Sequence, residues 1–171
     1  MKNRAFLGLG SNLGNREEYL SEAVKHISEL PETELIQCSN IYETEPVGDT
    51  EQGDFLNAAV EIATGLVPEQ LHHALKELEQ QLGRRERRRW GPREIDIDIL
   101  YYGSSIVRTD ELNLPHPERS RRKFVLEPLS AIAPEFIDPE TGMSVRQMLQ
   151  RCEDRASVRN NHRNLFATSQ E

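Results

Sequence analysis

The chain has 171 residues, 36% hydrophobic and 29% charged, proportions that fit one folded globular domain rather than a disordered segment. Its net charge of -8 argues against a general nucleic-acid binder. No run approaches the roughly 20 apolar residues of a membrane helix, and the apolar stretch near the N-terminus is too short for a signal peptide.

Ala5–Leu9 reads as a first strand running into a turn at Gly10-Ser11-Asn12-Leu13-Gly14. Asn15 followed by Glu18 resembles a helix N-cap with its capping-box acid. Leu20, Ala23, Val24, Ile27 and Leu30 then repeat at helical spacing until Pro31. Leu35–Tyr42 reads as a second strand, and the polar stretch 43–54 as a long loop. In a third strand, Phe55–Ala63, residues Leu56, Ala58, Val60 and Ile62 share one face, with Phe55 and Asn57 on the other. Pro68 opens a second helix whose stripe of Leu71, Leu75, Leu78 and Leu82 ends at Gly83.

Ile95–Tyr102 alternates at its start and reads as a strand. A short strand near Ile106–Val107, a loop through Pro115-His116-Pro117, and helices near Phe124–Ile132 and Ser144–Arg151 follow. Residues 152–171 read as a polar, irregular tail outside a domain spanning 1–151. The order β-α-β-β-α-β is that of a ferredoxin-like α/β (α+β) core, a mainly antiparallel sheet covered by helices. Cys38 and Cys152 lack metal-ligand spacing and are expected as free thiols in a reducing cytoplasm.

Charge is unevenly spread. Between Arg84 and Arg93 there are six arginines in ten residues, a local anion site in an acidic protein. Asp96 and Asp98 follow on the strand, two apart and therefore on one face. Alone, the pair reads as a solvated strand face with alternating charge. Beside an arginine loop it describes a nucleotide–metal site, because Mg²⁺ takes carboxylate and phosphate oxygens and arginine forks match phosphate. Trp90 suits either the core or a stacking platform.

Arg119, Arg121 and Arg122 form a second basic cluster able to close over the same phosphates, and His116 sits in a rigid loop beside it. Gly8 and Gly10 fail the spacing of a dinucleotide fingerprint and read as tight-turn packing. Asn57 carries both donors and an acceptor, matching the edge of a heterocycle. Two other readings stand at this point. One is a binding module whose arginine loop docks RNA or an acidic partner. The other is a kinase of the same fold that transfers one phosphoryl group and releases ADP.

Gly10–Arg16 (GSNLGNR), Tyr42–Gly48 (YETEPVG), Asp54–Ala58 (DFLNA), Arg89–Arg93 (RWGPR), Asp96–Ile99 (DIDI) and Leu114–Pro117 (LPHP) occur in one order. Through them the chain, from about Ala5 to Leu149, closely resembles the 6-hydroxymethyl-7,8-dihydropterin pyrophosphokinases. The resemblance implies a cytoplasmic folate-pathway enzyme, with ATP as donor and a pair of Mg²⁺ ions held by Asp96, Asp98 and the phosphates. It assigns Glu79, Arg84, Arg89, Trp90, Arg93, Ile99, His116 and Arg122 to ATP. Thr44, Glu45, Pro46, Val47, Phe55, Asn57, Trp90, Asp96 and Phe124 go to the pterin. Phe55 stands where many relatives carry tyrosine, and Lys76 where some carry glutamine. Arg84, Arg93 and Arg122 are expected to clamp phosphate charge while Asp96 and Asp98 complete the catalytic set. A monomer with no nucleic-acid or membrane partner is expected.

Overall fold

The computed structural model describes residues 2–45, 53–85 and 93–165. β1 (Asn3–Ser11) lies inside the sheet, next to one edge strand. It pairs antiparallel with β4 (Phe55–Thr64), placing Leu7 opposite Val60 and Gly10 opposite Asn57. On its other side it pairs antiparallel with β5 (Asp96–Tyr102), placing Gly8 opposite Asp98 and Gly10 opposite Asp96. The far side of β4 takes both β2 (Thr33–Cys38) and β3 (Asn40–Thr44), again antiparallel. These two segments replace the single strand expected over Leu35–Tyr42. The ladder is interrupted at Ser39, whose backbone N–H bonds Ala59 O at 2.8 Å while its hydroxyl accepts from Ala59 N at 2.9 Å.

Two helices cover one face. α1 (Arg16–Ser28) begins where expected, with the Asn15 side chain accepting from Glu18 N. α2 (Pro68–Gln81) carries proline at its start and is followed by Gly83 at φ 104°, a left-handed conformation that glycine adopts without steric cost. Leu20, Val24 and Ile27 of α1, with Leu71, Leu75 and Leu78 of α2, pack on Leu7, Leu9, Val60, Ile62, Ile97 and Ile99. Each fully buried side chain of this size contributes about 1.5–3 kcal/mol. The expected ferredoxin-like β-α-β-β-α-β order is therefore the architecture found, with antiparallel pairing in every described ladder.

Among the described residues, the opposite face is covered at one end. α3 (Lys123–Ile132) and α4 (Val145–Arg151) supply Leu126, Leu129, Val145 and Met148, which pack against Phe6, Ala59, Leu100 and Tyr101. A β-bulge makes this possible. Phe6 faces Tyr101 but Leu7 faces Ile99, so Leu100 is an extra residue and both it and Tyr101 join the cluster under α3 and α4. The remainder of the face, carrying Gly8, Gly10, Asn57, Asp96 and Asp98, borders a pocket.

Three expectations are corrected. Gly10, expected in the turn after the first strand, lies inside β1 with Gly8. A hairpin of β6 (Val107–Arg108) and β7 (Asn113–Leu114) stands where one short strand was expected. The irregular tail after Arg151 instead contains β8 (Val158–Asn164), which extends the sheet antiparallel to β3. Arg159 of this strand bonds Glu43 and Asp54, Asn164 Nδ2 donates to Cys38 O, and Leu165 is buried in the core. Apart from Val158 its side chains are polar, so hydrophobic alternation gives no signal. The strand forms because the edge of β3 offers unpaired backbone groups.

Candidate functional site

The carboxylates sit on β5 where the strand period places them. Asp96 and Asp98 both line the pocket, while Ile97 and Ile99 point into the helix-covered core. Glu79 of α2 is buried and organises what lies behind them. Its Oε2 accepts from the backbone N–H of Ile97 at 2.6 Å, and its Oε1 accepts from Arg84 Nη1 at 2.7 Å. The same Arg84 nitrogen reaches Asp96 Oδ1 at 2.9 Å. Lys76 Nζ donates to Ile97 O at 2.9 Å, Glu79 Oε2 at 3.1 Å and Asp98 Oδ1 at 3.3 Å.

These contacts set the charges. Burial raises the Asp96 pKa to about 7, with the Asp98 charge adding to it and Lys76 and Arg84 pulling against both. Burial also works against the charges of Lys76 and Arg84, but the carboxylates outweigh it and hold both cations protonated. His116 Nε2 lies 4.0 Å from Asp98 Oδ2, and its Nδ1 accepts from the Glu118 N–H at 3.1 Å. Burial lowers its pKa, so the neutral ring carries its proton on Nε2, facing the carboxylate.

The other end of the pocket is lined by Asn57 and two aromatic rings. Asn57 is buried, and its Nδ2 donates to Thr44 Oγ1 at 2.6 Å. Phe55 on β4 and Phe124 on α3 both line the pocket, a cavity of about 240 Å³. Gly8 and Gly10 form the floor between the carboxylates and Asn57. A Cβ on Gly10 would stand 3.1 Å from Asn57 Oδ1, and one on Gly8 would stand 3.3 Å from Leu100, so glycine keeps this floor open.

Of the residues expected at the site, Glu45, Phe55, Asn57, Arg93, Asp96, Asp98, His116, Arg122 and Phe124 converge on this one pocket. Glu79 and Arg84 stand behind the carboxylates. Thr44 is buried and supports Asn57, while the Ile99 side chain lies in the opposite core. Pro46, Val47, Arg89 and Trp90 lie outside the described residues. Arg122 Cζ sits 5.6 Å from the Phe124 ring centroid, a cation–π distance.

Arg119 departs from expectation. It does not join Arg122 at the pocket but is buried against Asp138, Nε to Oδ2 at 2.8 Å. Asn12, which carries no assigned role within GSNLGNR, and Lys76, which stands where some relatives carry glutamine, both organise the site. Asn12 exchanges bonds with Arg93, its N–H to Arg93 O at 3.0 Å and its Oδ1 from Arg93 N at 2.7 Å. Its Nδ2 also donates to Gly53 O at 3.2 Å, so one side chain ties together two loops flanking the pocket. An amide immediately after a strand that ends at a site was the signal available for it.

Among the described residues no group of three or more His, Cys, Asp or Glu side chains is arranged to hold a metal by itself. Two adjacent carboxylates, one with raised proton affinity, nevertheless fit a hard cation that takes its remaining ligands from phosphate and water.

The model of the family described as 7,8-dihydro-6-hydroxymethylpterin-pyrophosphokinase (HPPK) matches residues 6–134. The 2-amino-4-hydroxy-6-hydroxymethyldihydropteridine pyrophosphokinase of Aquifex aeolicus is 44% identical over 134 residues, 78% of this chain and 82% of that protein. The Bacillus subtilis protein of the same name is 44% identical over 147 residues, 86% of this chain and 88% of its own length. Among solved structures, wild-type Plasmodium falciparum HPPK-DHPS with pteroate superposes with a TM-score of 0.70 at 16% identity. That superposition covers 88% of this chain and only 42% of the larger one, and it shows a shared fold. Since the model spans most of the sequence and these bacterial relatives align over nearly their whole length, the chain belongs to the 7,8-dihydro-6-hydroxymethylpterin-pyrophosphokinase family.

Proposed function

We propose that this pocket joins ATP to 6-hydroxymethyl-7,8-dihydropterin, transferring pyrophosphate to the hydroxymethyl group and releasing AMP and the pterin diphosphate for folate biosynthesis. The observation that carries the site assignment is one row across the sheet. Asp96, Gly10 and Asn57 lie directly opposite one another on β5, β1 and β4. Neighbouring strands are about 4.8 Å apart, so a flat ring bonded by Asn57 lies over Gly10 and presents its substituent to the carboxylates. Phe55 and Phe124 supply its apolar walls, and the family resemblance assigns Thr44, Glu45, Pro46, Val47 and Trp90 to the pterin as well.

Arg84, Arg93, His116 and Arg122 take the triphosphate. The family resemblance assigns Glu79, Arg89, Trp90 and Ile99 to the nucleotide as well, Ile99 through its backbone because its side chain is buried in the opposite core. Asp96 and Asp98 would hold Mg²⁺, a pair of ions in this reading, which when bound would supply charge neutralisation along the triphosphate. The pterin hydroxyl oxygen forms a bond to the β-phosphorus, and the bond from that phosphorus to the α,β-bridging oxygen breaks. AMP leaves with the electron pair. The hydroxyl proton passes to one of the two carboxylates, Asp96 or Asp98, that line the pocket. Arg84, fixed by Glu79 before any ligand arrives, meets developing phosphate charge with little reorganisation.

We also read the protein as a cytoplasmic monomer. Supporting this, no described helix is long and apolar enough to cross a membrane, and only Ile36, Val67, Ile106 and Ile137 are exposed large hydrophobics among the described residues. The deciding experiment is the nucleotide product formed from MgATP and the pterin, with Asp96→Ala alongside. AMP that requires the pterin and disappears in the variant is expected; ADP would refute attack at the β-phosphorus.

A further inference from the structure

The loop 115–122 brings His116 and Arg122 to the pocket but is fastened by a residue that faces away from it. Arg119 is 7% exposed. It grips Asp138 with two bonds, Nε to Oδ2 at 2.8 Å and Nη2 to Oδ1 at 3.2 Å, and Nη1 donates to the carbonyl of His116 at 3.2 Å. Asp138 is fully buried in the segment joining α3 to α4. It also accepts from Tyr101 Oη at 2.5 Å and from the N–H groups of Glu140 and Thr141 at 2.8 and 3.0 Å. Glu140 Oε1 lies 3.1 Å from Arg119 Nη2.

A single carboxylate thus joins three elements: β5 through Tyr101, the loop through Arg119, and the α3–α4 connection. Burial raises the Asp138 pKa, but the bonds from Arg119 and Tyr101 outweigh it and leave it at about 2. The pair is therefore ionised at neutral pH.

Stability alone is a poor reason for such a pair. Replacing a buried ion pair by apolar residues of similar volume is often neutral or stabilising, and Tyr101, which bonds Asp138, belongs to an apolar cluster with Met148 and Leu129. What apolar packing cannot supply is direction. A bidentate fork fixes the orientation of Arg119, and His116 and Arg122 lie three residues to either side of it. We infer that Arg119 and Asp138 are positioning residues for the nucleotide, their buried pair holding the His116–Arg122 loop in register with Asp98 on β5. The inference rests on assigning His116 and Arg122 to ATP.

The test compares wild type, Arg119→Lys and the apolar double variant Arg119→Met with Asp138→Leu. Three quantities are measured: the thermal midpoint, the affinity for the magnesium complex of α,β-methylene-ATP, and the affinity for the pterin. The double variant leaves the Tyr101 hydroxyl and the Glu140 and Thr141 N–H groups without their acceptor, so its midpoint is expected to fall. At a temperature where it is folded it is expected to keep its pterin affinity while losing about tenfold in nucleotide-analogue affinity, as a displaced loop would cause. Arg119→Lys keeps the charge but not the fork, and is expected to lose several-fold on the same ligand only. Wild-type analogue affinity in Arg119→Lys, or in a folded double variant, would overturn the inference. His116→Ala serves as the control: if it leaves analogue affinity unchanged, the assignment of the loop to ATP fails, and the inference with it.

Discussion

Gly10 lies opposite Asn57 in the β1–β4 ladder, and a methyl group added to Gly10 would approach Asn57 Oδ1 to 3.1 Å. Asn57 cannot yield freely, since its amide is held by Thr44 Oγ1 at 2.6 Å. Gly10→Ala is therefore expected to turn the Asn57 side chain. Because the phosphate-side arginines are untouched, KM for the pterin should rise about tenfold while KM for ATP stays within about twofold. Steady-state kinetics with each substrate varied in turn decides this. Equal increases in both would remove Asn57 from the pterin site.

Asp96 carries a pKa raised to about 7 in the folded protein, against about 3.9 for an unperturbed aspartate. A group whose pKa is raised on folding contributes stability that is complete below the unfolded value and is lost as pH rises through the folded one. Asp96→Asn stays neutral throughout. In the presence of a chelator, its thermal midpoint is expected to gain on that of wild type as pH rises from about 4 to 7, then hold a constant difference. Each kcal/mol relieved is worth roughly 2–4 °C in a protein of this size. A difference that does not change with pH would show that Asp96 is not held against its charge.

Lys76 places a cation 3.3 Å from Asp98 Oδ1 and 3.1 Å from Glu79 Oε2, where it competes with any divalent ion for the same carboxylate. Removing it exposes the site to metal. Lys76→Met is expected to bind Mn²⁺ at least about tenfold more tightly than wild type in the absence of nucleotide, a modest share of the Coulomb energy between charges this close. Lys76→Arg should resemble wild type. Paramagnetic titration of free Mn²⁺ reads the difference directly, and an unchanged affinity in Lys76→Met would dismiss the competition.

Much of this protein was legible in its sequence because the relevant signals are local. The cap at Asn15, the proline opening α2, Gly83 after it and the apolar periods of α1, α2 and β4 fix those elements within a few residues of themselves. The strand period alone places Asp96 and Asp98 on one face, and the ordered motifs give the family. The bulge at Leu100 and the hidden strand β8 were not legible, because one depends on the register with β1 and the other on an open sheet edge. The basic cluster shows the same limit most sharply. Arg119 and Arg122 are the same residue type three positions apart, yet one is spent on buried Asp138 and the other lines the pocket. The sequence determined that arginines stand in this loop beside a carboxylate strand. Only the tertiary structure decided which of them faces the ligand, because a guanidinium's role is set by the partner it meets in space, and Asp138, Glu79 and Asn57 reach the site from distant parts of the chain.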